Sequence, residues 1–139
     1  MRDEIVHGSC VALDGKGVLI LGASGSGKSG FALELMALGA MLVADDRVVL
    51  RREDHVIRAS APGAIKGRIE ARFVGILKAE TLDEAPLALV IDLDRQEGDR
   101  LPPQRSRKTL GISLPLLHNA DTRYFPAAIL QYLRAGRSE

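Results

Sequence analysis

The residues best suited to chemistry form a glycine-rich run between an apolar segment and an amphipathic one. The run matches G-x-x-x-x-G-K-[ST] at every fixed position and consists of Gly22, Ala23, Ser24, Gly25, Ser26, Gly27, Lys28 and Ser29. Glycines let successive backbone N–H groups turn inward and form an anion nest at the positive end of a helix. In such a loop Lys28 reaches the β- and γ-phosphate oxygens, and the Ser29 hydroxyl is a ligand for Mg²⁺. The run predicts a phosphate loop for a nucleotide such as ATP.

Two adjacent carboxylates, Asp45 and Asp46, follow the apolar run Met41–Ala44. Ligand chemistry gathers at the carboxyl ends of strands in an open α/β sheet, which would place this pair near the phosphate loop. One carboxylate could accept a proton from an attacking hydroxyl, and the other could hold Mg²⁺. The pair also suits a hydrogen-bonding turn between two strands, because Asp is common in turns. From the residues alone both interpretations stay open.

A phosphate loop predicts a nucleotide but not a reaction. The sequence contains neither the N-K-x-D run usual in GTPases nor the L-S-G-G-Q signature of transport ATPases. Kinases remain, and the letters of the loop are similar to those of several sugar and nucleoside kinases. The 139 residues leave little room for the lid and substrate-binding helices that those enzymes usually need.

The elements that must position these groups follow from hydrophobic periodicity. Phe31, Leu35 and Leu38 have helical spacing, which predicts a helix over Lys28–Leu38 that ends at Gly39. Short apolar or alternating runs predict strands over Ile5–Leu13, Val18–Leu21, Met41–Ala44, the hairpin Val48–Arg52 with Val56–Ala59, Ile69–Ile76, Leu87–Leu93 and Leu110–Leu117. The polar segment 94–107 is expected to be a mobile loop.

A last helix is predicted over about residues 122–136, with Pro126 at its start and Thr122 or Asp121 as its cap. The predicted fold is therefore α/β. It is expected to be a single phosphate-loop domain over 1–139 with a core over about 5–117. Its mixed, mostly buried sheet would carry the loop helix and the C-terminal helix.

Composition narrows the class of protein. The chain is 46% apolar, 27% charged and 4% aromatic, with a net charge of +1 and one cysteine. This aliphatic content excludes a disordered chain, and no apolar run approaches the roughly 20 residues of a membrane helix. The small net charge argues against nucleic acid or a membrane surface as a partner. Cys10 cannot form an internal disulfide, and no signal-peptide pattern precedes it, so a cytoplasmic location is expected.

Residues on both sides of the phosphate loop resemble the catalytic domain of bacterial HPr kinase/phosphorylase. The resemblance rests on Gly17–Gly22, the loop, Ala32–Leu35, Gly39 and Ala44–Val48. It continues in His7-Gly8, Ala61-Pro62, Ile69–Arg72 with Gly75-Ile76, Asp99–Leu101 and Leu110–Pro115, and so covers roughly residues 5–117. That family phosphorylates a serine of HPr, the small phosphocarrier of the sugar phosphotransferase system. The resemblance thus implies a cytoplasmic serine kinase that uses ATP and Mg²⁺ and has HPr as its substrate.

The resemblance also implies roles outside the loop. Asp45 matches the acid/base aspartate, His7 the histidine beside that aspartate, and Asp46 a neighbour near the metal. Glu70 matches a carboxylate associated with Mg²⁺, and Arg72 a basic residue that faces the phosphates. In a strand, Glu70 and Arg72 would point to one face.

Three departures from the family pattern bear on the activity. Phe73 stands where the family signature has glycine, His118–Asp121 replaces a P-x-x-P-G-R-N-like loop, and the chain begins close to the catalytic domain. In the family the altered segments are associated with phosphorolysis. Kinase activity is therefore expected from a reduced catalytic core, with phosphorylase activity at most residual. The hexamers of the family leave a homo-oligomer open, and the Arg105–Lys108 cluster is either a solvated loop or a docking patch. A small-molecule kinase and a non-catalytic nucleotide sensor remain as alternatives.

Overall fold

The computed structural model describes residues 3–139, which form ten strands and two α-helices. The strands are β1 (Asp3–Leu13), β2 (Lys16–Leu21), β3 (Met41–Ala44), β4 (Arg47–Glu53), β5 (Val56–Ser60), β6 (Arg68–Ala71), β7 (Gly75–Lys78), β8 (Glu84–Gln96), β9 (Ser106–Thr109) and β10 (Ile112–Asn119). The helices are α1 (Lys28–Ala37) and α2 (Phe125–Ala135), and a 3₁₀ turn covers Gly63–Ile65. None of the helices in the described range is long and apolar enough to cross a bilayer.

The long strands β1 and β8 each take part in two layers of sheet. The first half of β1 pairs antiparallel with β4, and β5 links β4 to the start of β8. The second half of β1 pairs with β2 and β3, while β2 and β10 run parallel to the later part of β8. The hairpin of β9 and β10 extends this layer, and β6 with β7 forms a separate two-stranded sheet.

Side-chain alternation along β2 divides the core in two. Val18 and Ile20 lie in the cluster that contains Leu35 of α1 and Ile129 of α2. Leu19, between them, lies in the cluster that contains residues of β4 and β5. Because both faces of β2 are covered, Val18, Leu19 and Ile20 of its apolar run are buried, as the uninterrupted pattern predicts, and Leu21 at the end is partly buried. The structure thus confirms the α/β class, with helices on one face of the mixed sheet and strands on the other.

The helix and most of the strands lie where periodicity places them. Helix α1 begins at Lys28 as predicted, ends one residue before the predicted Leu38, and is followed by Gly39 with φ 117°, a conformation that favours glycine. The β4–β5 hairpin also has the predicted strands.

The prediction of a strand or short extended piece over Ile69–Ile76 was wrong, because the segment consists of two strands and a turn. The chain reverses after Ala71 through a turn in which Phe73 has φ 70°, and it returns as β7. Glu70 therefore lies on β6, whereas Arg72 belongs to the turn and does not share a strand face with it. The sequence pattern did not reveal the turn, because none of its three residues, 72–74, is a glycine, proline or asparagine, the usual turn residues.

Three boundaries after residue 90 also differ. Strand β8 continues to Gln96 because β10 pairs alongside its polar end, so the expected loop over 94–107 is shorter at both ends. The predicted strand Leu110–Leu117 begins with the turn residues Leu110 and Gly111, both at positive φ, which join β9 to β10. Helix α2 begins at Phe125 rather than near residue 122 and has no side-chain cap.

Candidate active site

The predicted phosphate loop connects the end of β2 to the start of α1. Gly25 and Gly27 have φ values of 84° and 97°, a left-handed region that only glycine enters without strain. Gly22 is also constrained by space, because a Cβ there would clash with the side chain of Ser26. The glycines at the fixed motif positions therefore meet real backbone requirements. The loop ends at the N-terminus of α1, where unpaired backbone N–H groups favour a bound anion.

Lys28 and Asp94 hold the base of the phosphate loop. Lys28 is 7% exposed, and its Nζ donates to the carbonyl oxygens of Gly22 and Ala23 at 2.8 and 2.9 Å. The backbone N–H of Ala23 donates to both carboxylate oxygens of Asp94, at 3.0 and 2.9 Å. The lysine is thus oriented along the loop by the loop's own backbone, and β8 fixes the loop from the other side.

Asp45 is a buried hub between three elements. It is 6% exposed and accepts hydrogen bonds from Ser9 Oγ on β1 at 2.7 Å, Ser29 Oγ on α1 at 2.8 Å and the backbone N–H of Glu70 on β6 at 3.1 Å. A buried carboxylate is stable only when such donors replace its water. Asp45 therefore ties the phosphate-loop helix to the first strand and to the β6–β7 hairpin.

Asp46 points away from this hub. Its φ of 70° marks a turn directly after β3, and its side chain is 63% exposed. Asp46 Oδ1 lies 3.2 Å from His7 Nε2, and Oδ2 lies 3.8 Å from Arg47 Nε. The histidine that was expected beside Asp45 thus contacts the second aspartate of the pair, and a role of His7 with Asp45 stays a prediction.

The strand register explains how His7 reaches this place. His7 is directly opposite Arg47 in the β1–β4 ladder, and the next residue, Gly8, donates its N–H to the carbonyl of Asp46 at 3.1 Å. A Cβ on Gly8 would lie 2.7 Å from the carbonyl oxygen of Ile20, so a larger residue would push β1 away from β2. The His-Gly pair of the sequence therefore combines a site residue with a close backbone approach.

A cleft of about 390 Å³ lies between the phosphate loop and the β6–β7 hairpin. Its lining includes His7, Lys28, Ser29, Asp46, Glu70 and Arg72. A second recess of about 340 Å³ is lined by Ile5, Val6, His7, Asp46 and Arg47. His7 and Asp46 line both, so this pair forms the wall between the phosphate-loop cleft and a neighbouring surface recess.

The predicted metal-binding residues Ser29, Asp46 and Glu70 all line the phosphate-loop cleft. Within residues 3–139 no group of three His, Cys, Asp or Glu side chains converges on one point. Ser29 donates to Asp45, whereas Asp46 contacts His7 and Arg47. Mg²⁺ at phosphate sites takes one or two protein oxygens and completes its shell with phosphate and water. The Ser29 hydroxyl, which is hydrogen-bonded to the Asp45 carboxylate, fits that requirement, and Asp46 and Glu70 as metal ligands stay a prediction.

Sequence reasoning missed two residues of this site, Ser9 and Asp94. Ser9 is completely buried within β1, and a hydroxyl in a buried strand signals a polar partner. Asp94 was assigned to a mobile loop because its segment is polar. The signal that could have identified it is its place at the end of the apolar run Leu87–Leu93, beside the strand that enters the phosphate loop. Cys10, next to Ser9, is inert, because burial raises the pKa of its thiol to about 12.

The sequence of this chain is similar to a family model and to named bacterial proteins. Residues 1–116 match the model of the HPr Serine kinase C-terminal domain. The HPr kinase/phosphorylase of Geobacillus thermodenitrificans is 43% identical over 125 residues, which cover 81% of this chain and 40% of that protein. The HPr kinase/phosphorylase of Geobacillus sp. strain WCH70 is 47% identical over 125 residues, which cover 84% of this chain and 39% of that protein. The chain thus spans about two fifths of the length of these relatives.

A solved structure extends the similarity to the fold. The HPr(Ser) kinase/phosphatase of Coxiella burnetii superimposes with a TM-score of 0.80 and 27% sequence identity, and the superposition covers 94% of each chain. The sequence match includes the phosphate loop, both aspartates and the β6–β7 hairpin, and the fold match extends over almost the whole chain. The chain therefore belongs to the HPr serine kinase C-terminal domain family.

Proposed function

We propose that this chain transfers the γ-phosphoryl group of ATP to a serine of an HPr-type phosphocarrier protein. The observation that carries the proposal is the wall formed by His7 and Asp46 between the phosphate-loop cleft and the second recess. A nucleotide in the cleft and a serine in the recess would meet at this wall, in the arrangement that direct phosphoryl transfer needs. The names of the relatives support HPr as the protein that carries the serine.

Asp46 is the better candidate for the general base. A base must come within hydrogen-bond reach of the proton that it removes. Asp46 is exposed, lines both spaces and has His7 Nε2 at 3.2 Å to orient it. Asp45 is buried and already accepts from Ser9, Ser29 and Glu70. We therefore reverse the roles that the resemblance implies for the two aspartates, with Asp46 as the general base and Asp45 as the partner of Ser29.

The remaining groups would bind and orient the nucleotide. The loop N–H groups and Lys28 would hold its phosphates, and Arg72 at the edge of the cleft would face their negative charge. Ser29 and Asp45 would hold Mg²⁺, which when bound supplies charge neutralisation at the phosphate oxygens. Asp94 keeps the loop in place through the Ala23 N–H. The chain's contribution is thus mainly positioning and electrostatics.

The proposal is tested by incubating the chain with ATP, Mg²⁺ and an HPr-type protein and detecting phosphoserine by mass spectrometry. D46N should lower the turnover number about 100-fold or more, because it removes the base but no phosphate contact. Nucleotide affinity should not change. D54N is a matched control, since Asp54 is also exposed and also has positive φ, 57°, but lies in the distant β4–β5 turn.

Three outcomes would contradict parts of this proposal. Tight ATP binding without transfer to HPr would favour a nucleotide sensor, and ATP consumption on a metabolite would favour a small-molecule kinase. Full turnover by D46N, with loss in D45N, would return the base to Asp45. The reverse assay, with phosphoserine-HPr and inorganic phosphate, measures whether phosphorylase activity is residual.

A further inference from the structure

The turn between β6 and β7 carries a concentrated exposed apolar surface. Phe73 is fully exposed at 101%, Val74 is 74% exposed and Ile76 is 63% exposed. We call these three residues the apolar tip. The other large hydrophobic side chains that are exposed in the described part of the chain occur singly along the sequence. Single exposed apolar residues are ordinary, whereas a cluster marks a surface that another molecule covers.

Neither packing nor backbone preference explains the apolar tip. The hairpin is anchored by its inward residues, since Ile69 is buried and Leu77 packs against the same core cluster. Phe73 has φ 70°, a left-handed conformation that is unfavourable for an aromatic residue and natural for glycine. The chain thus holds a phenyl ring in water at a backbone position where glycine would fit better.

The apolar tip lies next to the phosphate-loop cleft. Glu70, Ala71 and Arg72 line that cleft, and Phe73 is the next residue along the chain. The backbone N–H of Glu70 donates to Asp45, which fixes the hairpin relative to the phosphate loop. A molecule that covers the tip would therefore lie at the mouth of the cleft.

The charges around the tip indicate what kind of surface fits it. Arg68, Arg72 and Lys78 on the same hairpin are exposed, and none of them is within ion-pair distance of an acidic side chain in the described residues. Glu70 is the single carboxylate on β6, the turn and β7. A complementary surface would be apolar in its centre and bordered by carboxylates.

We propose that the apolar tip docks the protein substrate, through an apolar patch with acidic neighbours beside the serine that is phosphorylated. This inference rests on the proposed function, because that function requires a folded protein to bring its serine to the cleft. Phe73 differs from the glycine of the family signature, so the contact is a property of this chain. A second copy of the chain is the competing occupant.

The test uses F73G and measures the affinity for an HPr-type protein, by calorimetry with a non-hydrolysable ATP analogue present. The dissociation constant should rise at least about tenfold, the loss typical when an aromatic anchor is removed from an interface. Nucleotide affinity should not change, and the midpoint of thermal unfolding should be equal or higher, because glycine suits the backbone there. L101S is the matched control, since Leu101 is 65% exposed and lies outside both the cleft and the second recess.

The outcomes separate this inference from the proposed activity. Equal affinity of F73G and the unmodified chain for HPr overturns the docking role, as does failure of the unmodified chain to bind HPr. Binding that F73G weakens, without phosphoserine formation, supports docking and contradicts only the activity. A dimer in sedimentation equilibrium that F73G abolishes, with unchanged affinity for HPr, overturns the inference in favour of a second copy.

Discussion

Asp45 and Asp46 are adjacent and chemically identical, yet they have opposite surroundings. Strand β3 ends at Ala44, and the positive φ of Asp46 turns its carboxylate toward His7 while that of Asp45 stays inside. One carboxylate is held by three neutral donors, and the other is open to solvent on two sides of the site. The local backbone thus gives the two carboxylates different surroundings, one buried and one exposed.

This difference predicts unequal effects on stability. D45N should lower the free energy of unfolding by about 1–3 kcal/mol, because the amide nitrogen would face at least one donor and leave a buried polar group unpaired. D46N should change it by less than about 1 kcal/mol, since the side chain is 63% exposed. Urea unfolding followed by far-UV circular dichroism measures both, as the chain has no Trp for fluorescence. Equal losses in the two variants would contradict the burial contrast.

The sequence could predict the phosphate loop and the pair of aspartates as candidate site residues, but not their partners. The phosphate loop was predictable residue by residue because glycine, lysine and serine each meet a local requirement. Which aspartate turns inward depends on the register of β3 against β1 and on one backbone angle, and the letters D-D carry neither. Ser9 was missed for a related reason, since its partner lies 36 residues away in sequence.

At the scale of elements, the segment between β8 and β9 is fixed by an ion pair. Glu97 accepts from the Arg105 guanidinium at 3.2 and 3.1 Å and from the backbone N–H groups of Gly98 and Asp99. Arg105 therefore has a structural partner, while Arg107 and Lys108 lie on β9. A docking role for the Arg105–Lys108 cluster stays a prediction. Within that cluster, the residues on β9 are not held by the ion pair with Glu97.

Acid should release this ion pair. Hydrogen bonding by Arg105 holds the pKa of Glu97 below its ordinary value of 4.5. The folded state then binds fewer protons than the unfolded state, so the stabilisation is complete above pH 4.5 and disappears as the pH falls through the lowered pKa. E97Q should be less stable than the unmodified chain at neutral pH, and the two should converge in acid. Unfolding free energies at stepped pH measure this.

The exposed Glu80 provides the control for that experiment. E80Q should follow the unmodified chain at every pH, because no ion pair of the described residues involves it. If the difference in unfolding free energy between E97Q and the unmodified chain stayed constant down to low pH, Glu97 would act through packing rather than through its charge.

Element types were more predictable than the turns between them. Strand β2 has a strong pattern because both of its faces are buried in the core, and helix α1 could be predicted from the spacing of Phe31 and Leu35, which are both buried. The turns at Phe73 and at Leu110 use positive φ in residues that sequence rules assign to strands. Each is maintained by pairing between the flanking strands, which is a property of the sheet and not of the local residues.

At the scale of the whole molecule, the core extends beyond the residues that match the family model. That match ends at residue 116, yet α2 places Phe125, Ile129, Leu130 and Leu133 in the cluster that supports α1. The Phe31 and Phe125 rings have centroids 5.4 Å apart, and Lys16 Nζ donates to the carbonyl of Leu133 at 2.8 Å. Helix α2 therefore supports the phosphate-loop helix from behind.

From this packing we expect α2 to stabilise the phosphate-loop helix, although α2 contributes no residue to the cleft. I129A should lower the free energy of unfolding by about 2–5 kcal/mol, because Ile129 is 1% exposed and its removal leaves a cavity beside α1. Q131A, on the exposed face of the same helix, should change it by about 0.5 kcal/mol or less. Urea unfolding measures the two variants side by side. Similar small effects would mean that α2 rests on the fold without supporting it, and that the matched residues alone hold the phosphate loop in place.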